Sequence, residues 1–243
     1  MIAFFKLTLF IPLYNALAFL STIVPRNDIG LAIVFLTLVV KIALSPLQHK
    51  ASKTQSKMKV IEPELVKIKQ NEDKEEQAKQ IMELYKHHGI NPFTSILLLF
   101  IQIPIIISLF YVFKSGFQLN LDILYPFVPK PTNINTLFLG LLDIHQKSYI
   151  LAILVGLTQF VQMKLAIPPL PKDSGKEKSL SGDFARSMNL QMRYVMPAMI
   201  VFIAASLPSA ISIYWITSNL FAVVHELMVR KISLKTALVS SKS

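Results

Sequence analysis

The chain has no cysteine, which excludes disulfides and thiolate-bound metals. It has no G-x-x-x-x-G-K run, so it carries no P-loop ATPase of its own. Its five histidines (His49, His87, His88, His145 and His225) show neither H-E-x-x-H nor any comparable metal-binding spacing. No paired carboxylates and no Ser-His arrangement sit in its apolar stretches. These absences point away from an enzyme, a metal site and a cofactor. The apolar stretches also lack Asp and Glu, apart from Glu226 near the end of the last one. Proton relays usually need a carboxylate or histidine within the membrane, and none stands out. Internal repeats and paired broken helices, the marks of many transporters, are missing too.

What is present is apolar surface. Of 243 residues 53% are hydrophobic, and the mean hydropathy is +0.51. That is too apolar for an ordinary soluble domain. A bilayer core takes about 20 apolar residues per helix, and several stretches approach that length. The sequence therefore predicts an all-α integral membrane protein with a five-span core. The net charge of +11 is compatible with nucleic-acid binding, but in a membrane protein Lys and Arg collect in cytoplasmic loops. No sequence-specific nucleic-acid partner is expected; contact with ribosomal RNA through a basic loop stays open.

Residues 1–28 begin with an apolar stretch broken by Lys6, Pro12 and Asn15. It reads as a signal peptide, a spanning helix or a helix lying in the interface. The signal peptide is disfavoured because no A-x-A-like site follows. The first core span is expected over 29–48. Residues 49–91 hold nine Lys, seven Asp or Glu and three His, with apolar residues at helical spacing and a polar break near 71–74. This pattern predicts an amphipathic helical hairpin outside the bilayer, made of two short helices. A second span over 92–114, a loop over 115–147 and a third span over 148–167 follow. After a loop over 168–191, the fourth and fifth spans over 192–229 meet so tightly at Leu207-Pro208 that they must form a hairpin. Residues 230–243 form a short basic tail.

Counting Lys and Arg gives nine in segment 49–91, six over 164–193 and four from Arg230 onward. The loop between spans two and three has three, and the link between spans four and five has none. Five spans put all the basic-rich segments on one side, which the positive-inside rule makes cytoplasmic, along with the C-terminus.

Lys41 interrupts the apolar run LTLVVKIALSPL. It lies roughly 18 Å along a helix from Ile29, in the inner half of the membrane. Without an outlet its ammonium would cost about 2.5–3.5 kcal/mol on insertion scales. It either snorkels to the headgroups or faces a wet cavity within the bundle. On one continuous helix it shares a face with Thr37, Ser45 and Gln48. Other spans supply Gln102, Thr158, Gln159, Gln162, Ser212, Tyr214, Trp215, Thr217 and Asn219. Taken singly, each serves as well for interhelical hydrogen bonding. Their co-occurrence with an unpaired cation favours a hydrated groove. As groove-lining residues we single out Lys41, Thr37, Ser45, Gln48, Gln102, Gln159, Gln162, Tyr214 and Trp215.

Three segments carry a resemblance. TLVVKIALSPLQHKASKTQSKMKVIEPELVKIK is similar to the first core span and first cytoplasmic helix of the YidC insertases. IMELYKHHGINPFTSILLLFIQIPIIISLFYVF resembles that family's second hairpin helix, Asn-Pro start and Q-x-P span. MPAMIVFIAASLPSAISIYWITSNL matches its last two spans. The resemblance covers about Phe4 to Lys231 and is to a short form without a large periplasmic domain. It implies a groove open to cytoplasm and lipid but closed outside, with the N-terminal segment as an interfacial helix on the outer surface. The family's intramembrane cation is usually Arg; here it is Lys41, which keeps the charge without the planar fork. The polar residue one turn earlier corresponds to Thr37, and the aromatic pair to Tyr214 and Trp215. Position 210 is Ala where Gly is common.

The function so implied is a membrane protein insertase and chaperone of the bacterial inner membrane. Its partners would be nascent membrane proteins and the lipid bilayer, with the ribosome and a Sec translocon as further candidates. A small transporter or channel using the same polar cavity, and a pure assembly scaffold, are the rival readings.

Overall fold

The computed structural model describes residues 6–68, 71, 73–91, 102–108, 110–112, 121–131, 133–166 and 190–240. The described chain is largely helical. A π-helical turn, Lys6–Phe10, leads into α1, Ile11–Ile23. The turn Pro25–Asn27, with Arg26 and Asn27 at positive φ, reverses the chain into α2, Ile29–Ala43. Asp28 caps α2 by accepting from the Leu31 amide at 3.1 Å.

The segment expected as the first span, 29–48, is bent rather than straight. The helix stops at Ala43, and α3, Ser45–Val60, departs at 60°. Pro46 explains the break: it has no amide to donate, and its ring obstructs the carbonyl four residues back. The hairpin arm is also more divided than the two expected helices. Beyond α3 come α4, Glu62–Ile68, and α5, Lys74–His87. Ile61, Leu65, Leu84 and Ile90 form a small core of their own there, flanked by Met58, Ile68, Ile81 and Tyr85. Asp73 caps α5 through the Glu75 and Glu76 amides, and Lys57 closes its other end by donating to the His88 carbonyl at 2.9 Å.

The apolar helix α6 runs over Gln102–Val112. Its expected start over 92–101 lies outside the described residues. The segment before α7 carries a two-stranded hairpin, β1 (Leu137–Phe138) against antiparallel β2 (Leu142–Asp143). Then come α7, Tyr149–Ala166, a π-helical stretch Gln191–Val195, α8, Met196–Ser206, and α9, Ser209–Ser240. Leu207 and Pro208 turn α8 into α9. The fifth helix continues past the expected end of its span at Val229, through the basic tail to Ser240. No glycine or proline stands after Pro208 to stop it.

The main core gathers Leu17 of α1, Ile29, Ile33 and Leu36 of α2, Ile105 and Val112 of α6, and Ile211 and Tyr214 of α9. A second cluster joins α7 to α8 through Ala152, Val155 and Ala204. Gly156 lets these two helices close: a Cβ there would stand 2.2 Å from Val201 Cγ2. Among the described residues two stretches, Lys6–Ile23 and Tyr149–Ala166, are each long and apolar enough to cross a bilayer; the bent α2–α3 pair makes a third if it is one span.

Candidate functional site

Lys41 sits near the end of α2, where its side chain is 8% exposed. Its Nζ donates to Gln102 Oε1 of α6 at 3.1 Å. The Gln102 amide nitrogen in turn contacts the hydroxyl of Tyr214 on α9, which is 2% exposed. One amine is thus joined to three helices through a single glutamine, whose carbonyl faces the cation and whose NH2 faces the phenol. Among the described residues Gln102 is the one partner of this amine. An ammonium has three donors, so two are left for solvent or a guest. A hydrogen bond to a charged group is worth about 1.5–3 kcal/mol. That is comparable to the insertion penalty of about 2.5–3.5 kcal/mol. Gln102 can therefore hold the cation in place without neutralising it.

The other selected residues distribute differently. Thr37 is buried, but its hydroxyl donates back to the Ile33 carbonyl at 2.6 Å within its own helix. Ser45 and Gln48 stand beyond the 60° bend, so the polar stripe expected on one straight helix turns a corner there. Gln48 Oε1 is buried without a hydrogen-bond partner, as is Gln162 Oε1 on α7. Gln159 is half-buried on the same helix. Trp215 is half-buried between the two apolar clusters rather than on the amine. Asn219 of α9 donates to Thr158 of α7 at 3.2 Å, an interhelical bond of the ordinary kind.

Two groups were not among the selected residues. Ser108 of α6 is fully buried with its hydroxyl unpartnered, as is the hydroxyl of Ser212 on α9. Ser212 counts among the polar groups of its span, whereas Ser108, a lone serine in an apolar run, gives little signal in one sequence. Asp28, by contrast, has the N-cap signature of an acid just before an apolar run. Its second oxygen accepts from the Leu139 amide at 2.7 Å, tying the β-hairpin to the start of α2. Asn135 brackets the same point, accepting from the Ile29 amide and donating to the Asn27 carbonyl, both at 3.0 Å. The Ser209 hydroxyl and amide both donate to the Gln146 carbonyl, at 2.5 and 2.9 Å. Asn15 of α1 donates to the Ile123 carbonyl at 2.9 Å and accepts from the Tyr125 amide at 2.6 Å. The chain before α7 is thus fastened to one end of the bundle, and Lys41 lies toward the other.

At that other end Glu226 does not reach Lys41. It pairs with Arg230 one turn on, at 3.0 Å, and Arg230 also donates to the Leu165 carbonyl near the end of α7. The rings of His49 and His225 meet edge to face at 6.1 Å, joining α3 to α9. No cluster of three or more metal-ligating side chains occurs among the described residues.

Fold and site together define a helical membrane protein whose bundle buries one amine on polar side chains, with its opposite end fastened under a connecting segment. Residues 19–236 match the family described as 60Kd inner membrane protein. The chain is 33% identical over 227 residues to a protein of Fusobacterium nucleatum named membrane protein insertase YidC, covering 90% of this chain and 97% of that one. It is 32% identical to the protein of that name from Clostridium tetani, over 89% of each chain. It is 31% identical to membrane protein insertase YidC 1 of Bacillus anthracis, over 91% of this chain and 79% of that one. The chain belongs to the 60Kd inner membrane protein family, that of the YidC insertases.

Proposed function

We propose that this protein is a membrane protein insertase that guides hydrophobic segments of nascent proteins into the bilayer along a polar, cationic groove open to cytoplasm and lipid. Family membership supports the activity, and one observation supports the route: among the described residues the Lys41 amine is held by a neutral glutamine and by no carboxylate. A carboxylate on the amine would have cancelled its field. Held by Gln102 and backed by Tyr214, the cation can attract acidic residues in the flank of an arriving segment. Thr37, Ser45, Gln48, Gln159, Gln162 and Trp215 complete the groove in this reading.

The five-span topology, with hairpin and C-terminus cytoplasmic, rests on the distribution of Lys and Arg. In this reading the N-terminal helix, Lys6–Ile23, lies in the interface on the outer surface. Asn15, in the middle of the Lys6–Ile23 stretch, bonds to the segment that this topology puts outside. A helix touching that segment at its middle, and again at its exit through Asn27, runs along the surface.

Insertion would proceed without ATP hydrolysis by this protein. Moving apolar surface from water into lipid contributes about 25 cal/mol per Å². The membrane potential adds about 2.3 kcal/mol per acidic charge per 100 mV. The amphipathic hairpin meets the client first, while the basic segments and tail offer docking points for a ribosome, and a Sec translocon is a candidate neighbour.

Liposomes containing this protein alone, supplied with a single-span test protein, test the reading. Insertion is expected; ion flux without insertion would favour the transporter or channel, and neither would favour a scaffold. The bonds from Asp28, Asn15 and Ser209 to the outer segment speak for a one-sided notch over a through-conduit.

A further inference from the structure

The β-hairpin ahead of α7 ends in an apolar tip that water does not favour. Leu139 is 56% exposed and Leu141 88%, with Leu137 exposed beside them. Leu139 also holds a φ of +53°, a left-handed conformation that glycine or asparagine adopts far more readily than leucine. The fold itself holds that backbone conformation, but the large apolar side chains it exposes call for cover from outside.

The tip is rigidly aimed. Phe138 turns inward onto the start of α2, where only glycine leaves room: a Cβ on Gly30 would stand 2.4 Å from its ring. The Asp28 carboxylate fixes the Leu139 amide at 2.7 Å. With Phe138 inside, its neighbours Leu137 and Leu139 face out. Only a few residues later Tyr149 and Ile150 open α7, and an exposed apolar stripe continues along it through Ile153, Leu154 and Leu157. The spacing of that stripe is one helix face. Arg26 lies next to the tip, its Nη1 4.0 Å from the position of a Cβ on Gly140.

We infer that Leu137, Leu139 and Leu141 seat in the lipid leaflet on the side of segment 115–147, continuous with the lipid face of α7, with Arg26 facing the phosphates. This rests on the proposed reading of α7 as a membrane span. Lipid is favoured over a protein partner because the tip is fastened at the start of α2, at the end of the bundle away from Lys41, and is followed within the chain by the apolar face of α7. A cation beside it suits a headgroup layer. The tip would hold the outer end of the bundle at a fixed depth, so that the fastenings at Asp28 and Ser209 act against an anchored point.

The absence of cysteine makes the test direct. Single-cysteine variants Leu139→Cys and Leu141→Cys, with Asn133→Cys and Ile153→Cys as references, are spin-labelled and reconstituted in phosphatidylethanolamine–phosphatidylglycerol vesicles. Labels at 139 and 141 are expected to respond several-fold more strongly to oxygen dissolved in lipid than to a water-soluble nickel chelate. That response should match Ile153 and oppose Asn133. As a second probe, Leu141→Trp in a Trp215→Phe background should be quenched by lipids brominated on their acyl chains. If position 153 reports lipid while 139 and 141 behave like 133, or are shielded from both agents, the anchor is wrong and the span reading stands. If 153 also reports water, both fall.

Discussion

At the scale of single residues the account turns on Lys41 and its holder. Lys41→Arg should retain insertion, because the charge is kept. Lys41→Ala or Lys41→Glu should impair substrates with acidic flanks most, in a proteoliposome insertion assay; equal activity of all three variants would contradict the charge role. Gln102→Leu removes the amine's partner and should cost about 2 kcal/mol in reversible unfolding in mild detergent. Adding Lys41→Met to that variant should recover part of the loss, because the stranded cation is gone. A double variant as unstable as Gln102→Leu alone would show that the two side chains do not depend on each other. Lys41, Gln102 and Tyr214 stood out in the sequence because each is polar within an apolar run. That Gln102 would lie between the other two was not legible. It depends on the rotation of α6 against α2 and α9, which hydropathy does not encode.

At the scale of elements, α7 and α8 meet over small residues, where packing supplies what the hydrophobic effect cannot within lipid. Gly156→Ala forces a methyl into Val201 and should destabilise the pair by roughly 1–3 kcal/mol. Val201→Ala in the same chain should restore most of it, as read by the same unfolding measurement. The hairpin arm depends on different contacts. Lys57→Ala removes the donor at the end of α5 and should speed amide exchange over 84–90 while leaving exchange in α7 unchanged. Burial also pushes the Tyr85 phenol above its ordinary value of 10.0. The folded arm therefore favours the neutral phenol. Its packing is complete below pH 10 and weakens as pH rises beyond that, visible as faster exchange in the same segment. The largely helical, apolar character of the chain could be read from composition and periodicity. The corner at Leu44 could not be placed, although Pro46 signalled it, because a proline near the start of a helix is compatible with either a stop or a kink.

For the whole molecule, the asymmetry of the two ends is the main consequence of the fold. One end is fastened by Asp28, Asn15, Asn135 and Ser209 to the segment before α7. The other joins helices through His49 and His225 and through Arg230 at the end of α7. Charge counting assigns a direction to this asymmetry through the proposed topology, in which the three basic-rich segments share one side. The fastenings themselves were invisible there: Asp28 reads as a helix cap, and its second oxygen finds Leu139 only in the folded chain. The proposed mechanism requires that a polar flank enter from one side without opening a path for ions. The most direct test is insertion of a single-span protein with an acidic flank into sealed liposomes holding only this protein, with ion leakage recorded in the same vesicles. The account predicts insertion that falls on Lys41→Ala, with no leakage above empty vesicles. Leakage without insertion, or insertion indifferent to Lys41→Ala and Lys41→Glu alike, would contradict it.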